Sequence, residues 1–371
     1  MHHHRFVILD FYRFLFAVAV AIDHFQGFGA AQKAYLAVDF FFVLSGFVLC
    51  SAYAARSGRP EFFQSFMVDR IARLYPLHLA VLLVTLGLNV AFYILSKGQL
   101  LENDWFYRDG RIYTFVLNLI LAQGIGLTTA PSWNAPSWSI SVELYVNIFL
   151  ALALVKLPRV GRMAAVASIA LIAVVAYALL FNRLGSLEHM GENIGGFLNA
   201  GLLRGFAGIA LGMLCYIAFE AAPKSLTGDR AVRSLAAATI FLAILTFALI
   251  AFGAGIHNLD FALIPIIFFL ILATALYEAA SPMKPPLRSL FEKCGALSYA
   301  IYMIHWPILV FAGYFLAYLW RVPVVAAAPS TTAIYLAVIL LIAWLAHHRF
   351  ELPMKRRVRA ALAPVPADAR R

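Results

Sequence analysis

Little in this chain could build a metal centre or a disulfide framework. It has three cysteines, Cys50, Cys215 and Cys294, far apart and without Cys-x-x-Cys spacing. Neither a zinc site nor a set of bridges is indicated. His-Glu-x-x-His, Gly-x-Ser-x-Gly and a glycine-rich phosphate loop are all missing, so the chemistries those motifs carry have no support. Charge is scarce, at 13% of residues. No hydrophilic linker and no second polar domain interrupts the chain. Internal repeats are not visible either, which weakens an inverted-repeat transporter.

What is abundant is apolar surface. Of 371 residues 63% are hydrophobic, and the mean hydropathy of +0.85 lies far outside the range of a soluble domain. The composition predicts an all-α, polytopic membrane bundle. The first apolar stretch is long, carries internal charge and lacks a small-residue cleavage site, so it reads as a retained span and not a signal peptide. A net charge of +11 is read as marking the loops on the cytoplasmic side, with no nucleic-acid partner implied.

A span needs about 20 mainly apolar residues. Ten segments meet or nearly meet that length, at roughly 6–25, 34–55, 74–96, 138–156, 162–182, 201–220, 234–253, 260–280, 298–320 and 331–347. An eleventh run, 112–127, is too short and reads as re-entrant or interfacial. With ten spans and both termini in the cytoplasm, the loops holding Arg56, Arg59, Arg70 and Arg73, then Lys156, Arg159 and Arg162, then Lys224, Arg230 and Arg233, then Lys284, Arg288 and Lys293, all satisfy the positive-inside rule. The connection 97–137 is then extracytoplasmic. It carries mixed charge (Lys97, Glu102, Asp104, Arg108, Asp109, Arg111) and ends in the Pro- and Trp-rich PSWNAPSW.

Ionisable residues inside such spans are functional candidates by default. The first span holds Asp10, Arg13, Asp23 and His24 among Phe, Leu, Val, Ile and Ala. Asp10 and Arg13 are three apart and can pair along one helix. The eleven steps from Arg13 to His24 make almost three helical turns, which puts both on one face about 16 Å apart. In the second span, YLAVDFFFVLSGFVLC, Asp39 stands near the start and Ser45-Gly46 at the centre, with the glycine marking close helix approach. Arg70 and Arg73 in FMVDRIARLYPLH are one turn apart just before the third span. Two guanidiniums on one face can grip a phosphate, or act only as a basic anchor.

PSWNAPSWSISVELYV sets Glu143 a few residues into a span, with Ser139 and Ser141 before it and Trp133 and Trp138 as an interfacial belt. A carboxylate at that depth needs a His or Arg from another helix. His305 lies in SYAIYMIHWPIL, just ahead of Pro307, as a catalytic or a packed hydrogen-bonding residue. His78, His189, His257, His347 and His348 have no spacing that recruits them.

Taken in order, LDFYRF with the Arg13-to-His24 spacing, VDFFFVLSGFVL, the arginine pair in RIARLYP, WSISVELY and SYAIYMIHWPIL resemble acyltransferase family 3, the integral membrane acyltransferases that in bacteria largely O-acetylate cell-envelope and exported carbohydrates. The resemblance covers most of the chain, with 1–348 as the membrane domain and 349–371 as a basic cytoplasmic tail, expected to be a loose segment attracted to the membrane surface. Phe11-Tyr12 stands where the family usually has a Gly or small residue after the Asp, and Asp23 where an apolar or small neighbour of the His is typical; neither departure removes a candidate catalytic group. The resemblance implies a multi-pass enzyme of the inner membrane. It would move an acyl group, usually acetyl, from cytoplasmic acyl-CoA to a hydroxyl of a carbohydrate or other cell-envelope glycan, with lipids as neighbours and no metal.

Under that implication His24 is a general base or a transient acyl carrier, and Glu143 or Asp23 holds its tautomer. Arg70 and Arg73 bind the phosphates of coenzyme A, and Arg13 lines the path of the pantetheine arm or steadies the thioester oxygen. Asp10, Asp39, Ser45, Trp138 and His305 are substrate-side or structural candidates. Some family members carry a further esterase-like domain; the basic, Ala/Pro-rich end of this chain predicts none here. The competing readings are a proton-coupled transporter of a small solute or acyl group, with Asp10, Arg13, His24 and Glu143 as a relay, and a partner-binding membrane protein whose charges only lock helices together.

Overall fold

Charge placed within apolar helices has to be answered by charge or polar groups from other helices, and in this fold those answers tie the bundle together. The computed structural model describes residues 5–26, 33–53, 62–97, 112–156, 161–223, 225–322, 324–325 and 328–362. The helices in order are α1 (Val7–Phe25), α2 (Ala37–Tyr53), α3 (Phe62–Leu95), α4 (Ile112–Leu119), α5 (Trp138–Lys156) and α6 (Arg162–Leu184). They continue as α7 (Ala200–Ala221), α8 (Asp229–Phe252), α9 (Leu259–Ala280), α10 (Pro285–Phe311), α11 (Pro329–Ala346) and α12 (Leu352–Leu362). A π-helical stretch, Ala312–Leu319, extends α10, and another, His347–Glu351, joins α11 to α12. The only sheet among the described residues is a hairpin of Asn193–Ile194 with Leu198–Asn199.

Nine helices among the described residues are long and apolar enough to cross a membrane by length and composition. The tenth expected segment, α1, is 19 residues long and differs by carrying Asp10, Arg13 and Asp23. The short 112–127 run forms only the eight-residue α4 followed by turns, far below spanning length. Of the loop charges, Arg56, Arg59, Arg159, Lys224, the stretch from Glu102 to Arg111 and the tail beyond Leu362 lie outside the described residues.

Two boundaries differ from the sequence reading. α3 begins at Phe62, twelve residues before the expected span, and runs through Pro76. Its first turns hold a period of four, with Phe62, Phe66 and Arg70 all buried, so tertiary packing continues a helix that a proline alone would end. Arg70 and Arg73 therefore sit inside a helix. The basic stretch after His348 is also not a loose tail up to Leu362. It is the helix α12, packed along the start of α3 and tied to it by Arg359 Nη2 against Asp69 Oδ1 at 2.7 Å.

α1 is walled by α2, α9 and α10. It runs parallel to α10, with Asp10 beside Gly295 near one end and His24 beside His305 near the other. The start of α1 has no side-chain cap of its own. Its first amides instead donate to Glu278 of α9, Val7 N–H at 2.7 Å and Ile8 N–H at 3.0 Å, a carboxylate placed where free N–H groups and the helix dipole favour one. α2 and α7 cross at backbone contact: a Cβ on Gly46 would meet the Ile209 carbonyl oxygen, and one on Gly212 the Val43 carbonyl oxygen. Gly46→Ala or Gly212→Ala must push these helices apart. Each is expected to lower the melting temperature of the purified protein, whereas Gly87→Ala, where a Cβ meets open space, is expected to leave it unchanged.

Candidate active site

The basic end of the bundle, where α1, α3 and α10 begin, opens into a cleft of about 710 Å3, mouth included. Arg13 of α1, Arg70 and Arg73 of α3, Ser45 of α2 and Glu143 of α5 line it, and Tyr302 of α10 is part of its wall. Ser45 Oγ donates to Glu143 Oε1 at 2.8 Å, and Arg70 Nη1 lies 3.6 Å from the same oxygen. Glu143 thus has the arginine partner that its depth requires. Arg13 is half-buried, with Nη1 at 3.4 Å from Asp10 Oδ1, and Asp10 also receives Arg5 Nε at 2.9 Å. Arg13 is within electrostatic reach of Arg73 and Glu143. Three guanidiniums therefore share the cleft with one lining carboxylate, an excess of cations suited to a phosphate or other anion.

At the far end of α1 the two histidines meet. His24 Nδ1 lies 2.9 Å from His305 Nε2, and the rings stack with centroids 5.1 Å apart. Trp306 adds an edge contact to His24. His305 is fully buried. Its Nδ1 is 3.2 Å from the Ile301 carbonyl, which can only accept. Hydrogen-bond logic then assigns the protons. Nδ1–H of His305 donates to Ile301, its Nε2 accepts, and His24 Nδ1–H is the donor to it. The basic lone pair of His24 is thereby placed on Nε2.

Local sequence explains the position of His305. Pro307 removes the amide that would bond the Met303 carbonyl, and Asn134 Nδ2 donates to that carbonyl instead, at 3.1 Å. Tyr335 Oη donates to the His305 carbonyl at 3.1 Å. The loop before α5 and the helix α11 so fix this turn of α10. Tyr302, one turn earlier, bonds Ser139 Oγ at 2.8 Å and the Pro136 carbonyl at 3.0 Å. Its ring contacts His305, which makes it the link between cleft and histidine pair.

The remaining candidates fall elsewhere. Glu143 sits with Arg70 and Ser45, while the group on His24 Nδ1 is His305. Asp23 is buried on the same helix. Asp39 belongs to a buried ion pair that sequence reasoning missed, with Arg204 of α7. Nε donates to Oδ1 at 3.0 Å and Nη2 to Oδ2 at 2.6 Å. Arg204 also donates to the Leu187 and Tyr35 carbonyls, and the Trp138 ring lies 5.7 Å from its guanidinium. Trp138 is therefore a floor for an ion pair, and with the equally buried Trp133 it does not form an interfacial belt. Nearby, Asp260 takes Lys33 at 2.9 Å and Tyr35 at 2.7 Å. Burial works against the Lys33 ammonium, but its hydrogen bonds to Tyr35 and Asp260 and the carboxylate charge outweigh it and hold its pKa above the ordinary value. Among the described residues no three His, Cys, Asp or Glu side chains converge as metal ligands.

A family model described as an acyltransferase domain matches residues 6–348. The chain belongs to acyltransferase family 3. Every element from α1 to α11 lies inside that match, including the arginine cleft and the histidine pair. Two similar proteins bear on it: protein 2 in the picA locus of Rhizobium radiobacter, 33% identical over 155 residues, which are 40% of this chain and 81% of that protein, and acyltransferase MdmB of Streptomyces mycarofaciens, 33% identical over 150 residues, 39% of this chain and 34% of MdmB. No solved structure matches. This family 3 member is thus a multi-pass membrane acyltransferase.

Proposed function

We propose that the protein transfers an acyl group, acetyl in the simplest case, from acyl-CoA to a hydroxyl of a carbohydrate or cell-envelope glycan, with the basic end of the bundle and both termini facing the cytoplasm of the inner membrane. The observation that carries this reading is the separation of two kinds of site on α1. Arg13, in the wall of an arginine cleft suited to phosphate, lies about three turns, or roughly 16 Å, along α1 from a histidine that can take a proton. A donor serving both has to be elongated, with phosphates at one end and its reactive carbonyl at the other. Acyl-CoA has that form.

On this reading Arg70 and Arg73 hold the phosphates, Arg13 lines the path of the pantetheine arm, and the thioester comes up to His24. His24 Nε2 takes the proton of the acceptor hydroxyl as its oxygen bonds to the thioester carbon. The carbon–sulfur bond breaks, and the departing thiolate recovers that proton from His24. His305 accepts from Nδ1–H throughout, which keeps Nε2 as the reacting nitrogen and steadies the imidazolium formed in between. Glu143 and Ser45 fix the pose of Arg70.

The arginine roles are tested in nanodiscs with acetyl-CoA. Arg70→Ala and Arg73→Ala are expected to raise the KM for donor by roughly tenfold or more, since a charge-assisted phosphate contact is worth about 1.5–3 kcal/mol, with a smaller effect on kcat. Wild-type KM in both variants would remove the arginines from donor binding.

A further inference from the structure

We propose that α12 completes the donor site, with Lys355 receiving a phosphate group of the nucleotide end of acyl-CoA alongside Arg73; this rests on the acyl-CoA reading above. α12 packs along the start of α3, and its two pairs of neighbours, Arg359 with Asp69 and Lys355 with Arg73, make the two helices antiparallel. One turn along each helix from Arg359 and Asp69, Lys355 on α12 and Arg73 on α3 come opposite one another, since both steps are four residues. Lys355 is within electrostatic reach of Arg73 and Arg359, with Glu351 and Asp69 as the nearby carboxylates. Both carboxylates are engaged, Asp69 by Arg359 and Glu351 by His347 Nδ1 at 2.8 Å. Among the described residues neither Lys355 nor Arg73 forms an ion pair. Two unanswered cations held side by side by a third, paired one repel each other, and a phosphate between them turns that repulsion into attraction.

An anionic lipid headgroup has the same phosphate chemistry. The donor is favoured because Arg73 is itself a wall of the cleft that leads inward to Arg13 and Glu143. A phosphate bound here is continuous with that cleft.

The test uses the full chain in nanodiscs of zwitterionic lipid, with acetyl-CoA and with acetyl-pantetheine, which lacks the phosphates. Lys355→Met is expected to raise the KM for acetyl-CoA roughly tenfold, to leave kcat unchanged and to leave kcat/KM for acetyl-pantetheine unchanged. Lys355→Arg should restore most of the loss, and the wild-type advantage should shrink with salt. Equal losses with both donors would mean a structural role, and no loss would mean no contact; either overturns the proposal. An effect confined to nanodiscs containing anionic phospholipid would assign the site to lipid and overturn it as well. If Lys355→Met is silent while Arg70→Ala raises KM, the proposal fails and the acyl-CoA reading stands. If wild type turns over no acyl-CoA, the reading fails and this inference falls with it.

Discussion

Replacing His24 with Ala is expected to lower acyl transfer by about 10²–10⁴-fold, the range that a positioned general base supplies, while the protein still inserts and migrates as wild type. His24 is half-buried at the end of α1, with the His305 and Trp306 rings against it. The paired variant His305→Phe keeps ring volume but takes away the acceptor at Nε2. The His24 tautomer is then no longer fixed, so kcat is expected to fall with KM for the donor little changed. Glu143→Gln should behave differently, because Glu143 answers Arg70 in the arginine cleft; its effect belongs in donor KM. Steady-state kinetics on the three variants separate these outcomes. Undiminished kcat in His24→Ala would remove the histidine from the chemistry.

Asp39→Ala is expected to cost about 3–5 kcal/mol of stability, the range for breaking a buried ion pair from one side. Asp39 is fully buried and Arg204 nearly so. Removing the carboxylate leaves a guanidinium in the bundle with only two carbonyls and the Trp138 and Tyr35 rings for company. Because Arg204 also ties down the Leu187 and Tyr35 backbones, the stretch leading into α2 and the stretch leaving α6 should loosen together. The double variant Asp39→Leu with Arg204→Met removes both charges at once and is expected to regain much of the loss. Thermal unfolding of the three purified variants gives the cycle. A melting temperature of Asp39→Ala equal to wild type would mean that the pair contributes nothing.

The two cases also show how far residues speak for themselves. Charges inside apolar runs were legible one at a time, because burying each is costly and so each marks a site or a lock. The same rule applied to Arg204, alone within GLLRGFAG, would have flagged it as the partner that Asp39 requires. Glu278 and Asp260, near the ends of α9, carry the same mark. Pairing is a different matter. His24 and His305 are 281 positions apart, and no local pattern states that α1 and α10 run side by side in parallel; the glycine that permits it, Gly295, reads as any other. The start of α3 was hidden by Pro76, since local propensity ends a helix there and only packing carries it through. α12 was hidden by composition, because its many basic residues suggested a loose tail while the four-residue spacing of Lys355 and Arg359 already described a helix face.

The most direct measurement is release of free CoA thiol from acetyl-CoA by the purified protein in nanodiscs, with a panel of carbohydrate acceptors, for wild type beside His24→Ala. The account predicts acceptor-dependent thiol release by wild type, with an equal amount of acyl ester appearing on the acceptor, and neither product above background for His24→Ala. Turnover of no acyl-CoA by wild type, or equal turnover by both proteins, would contradict it.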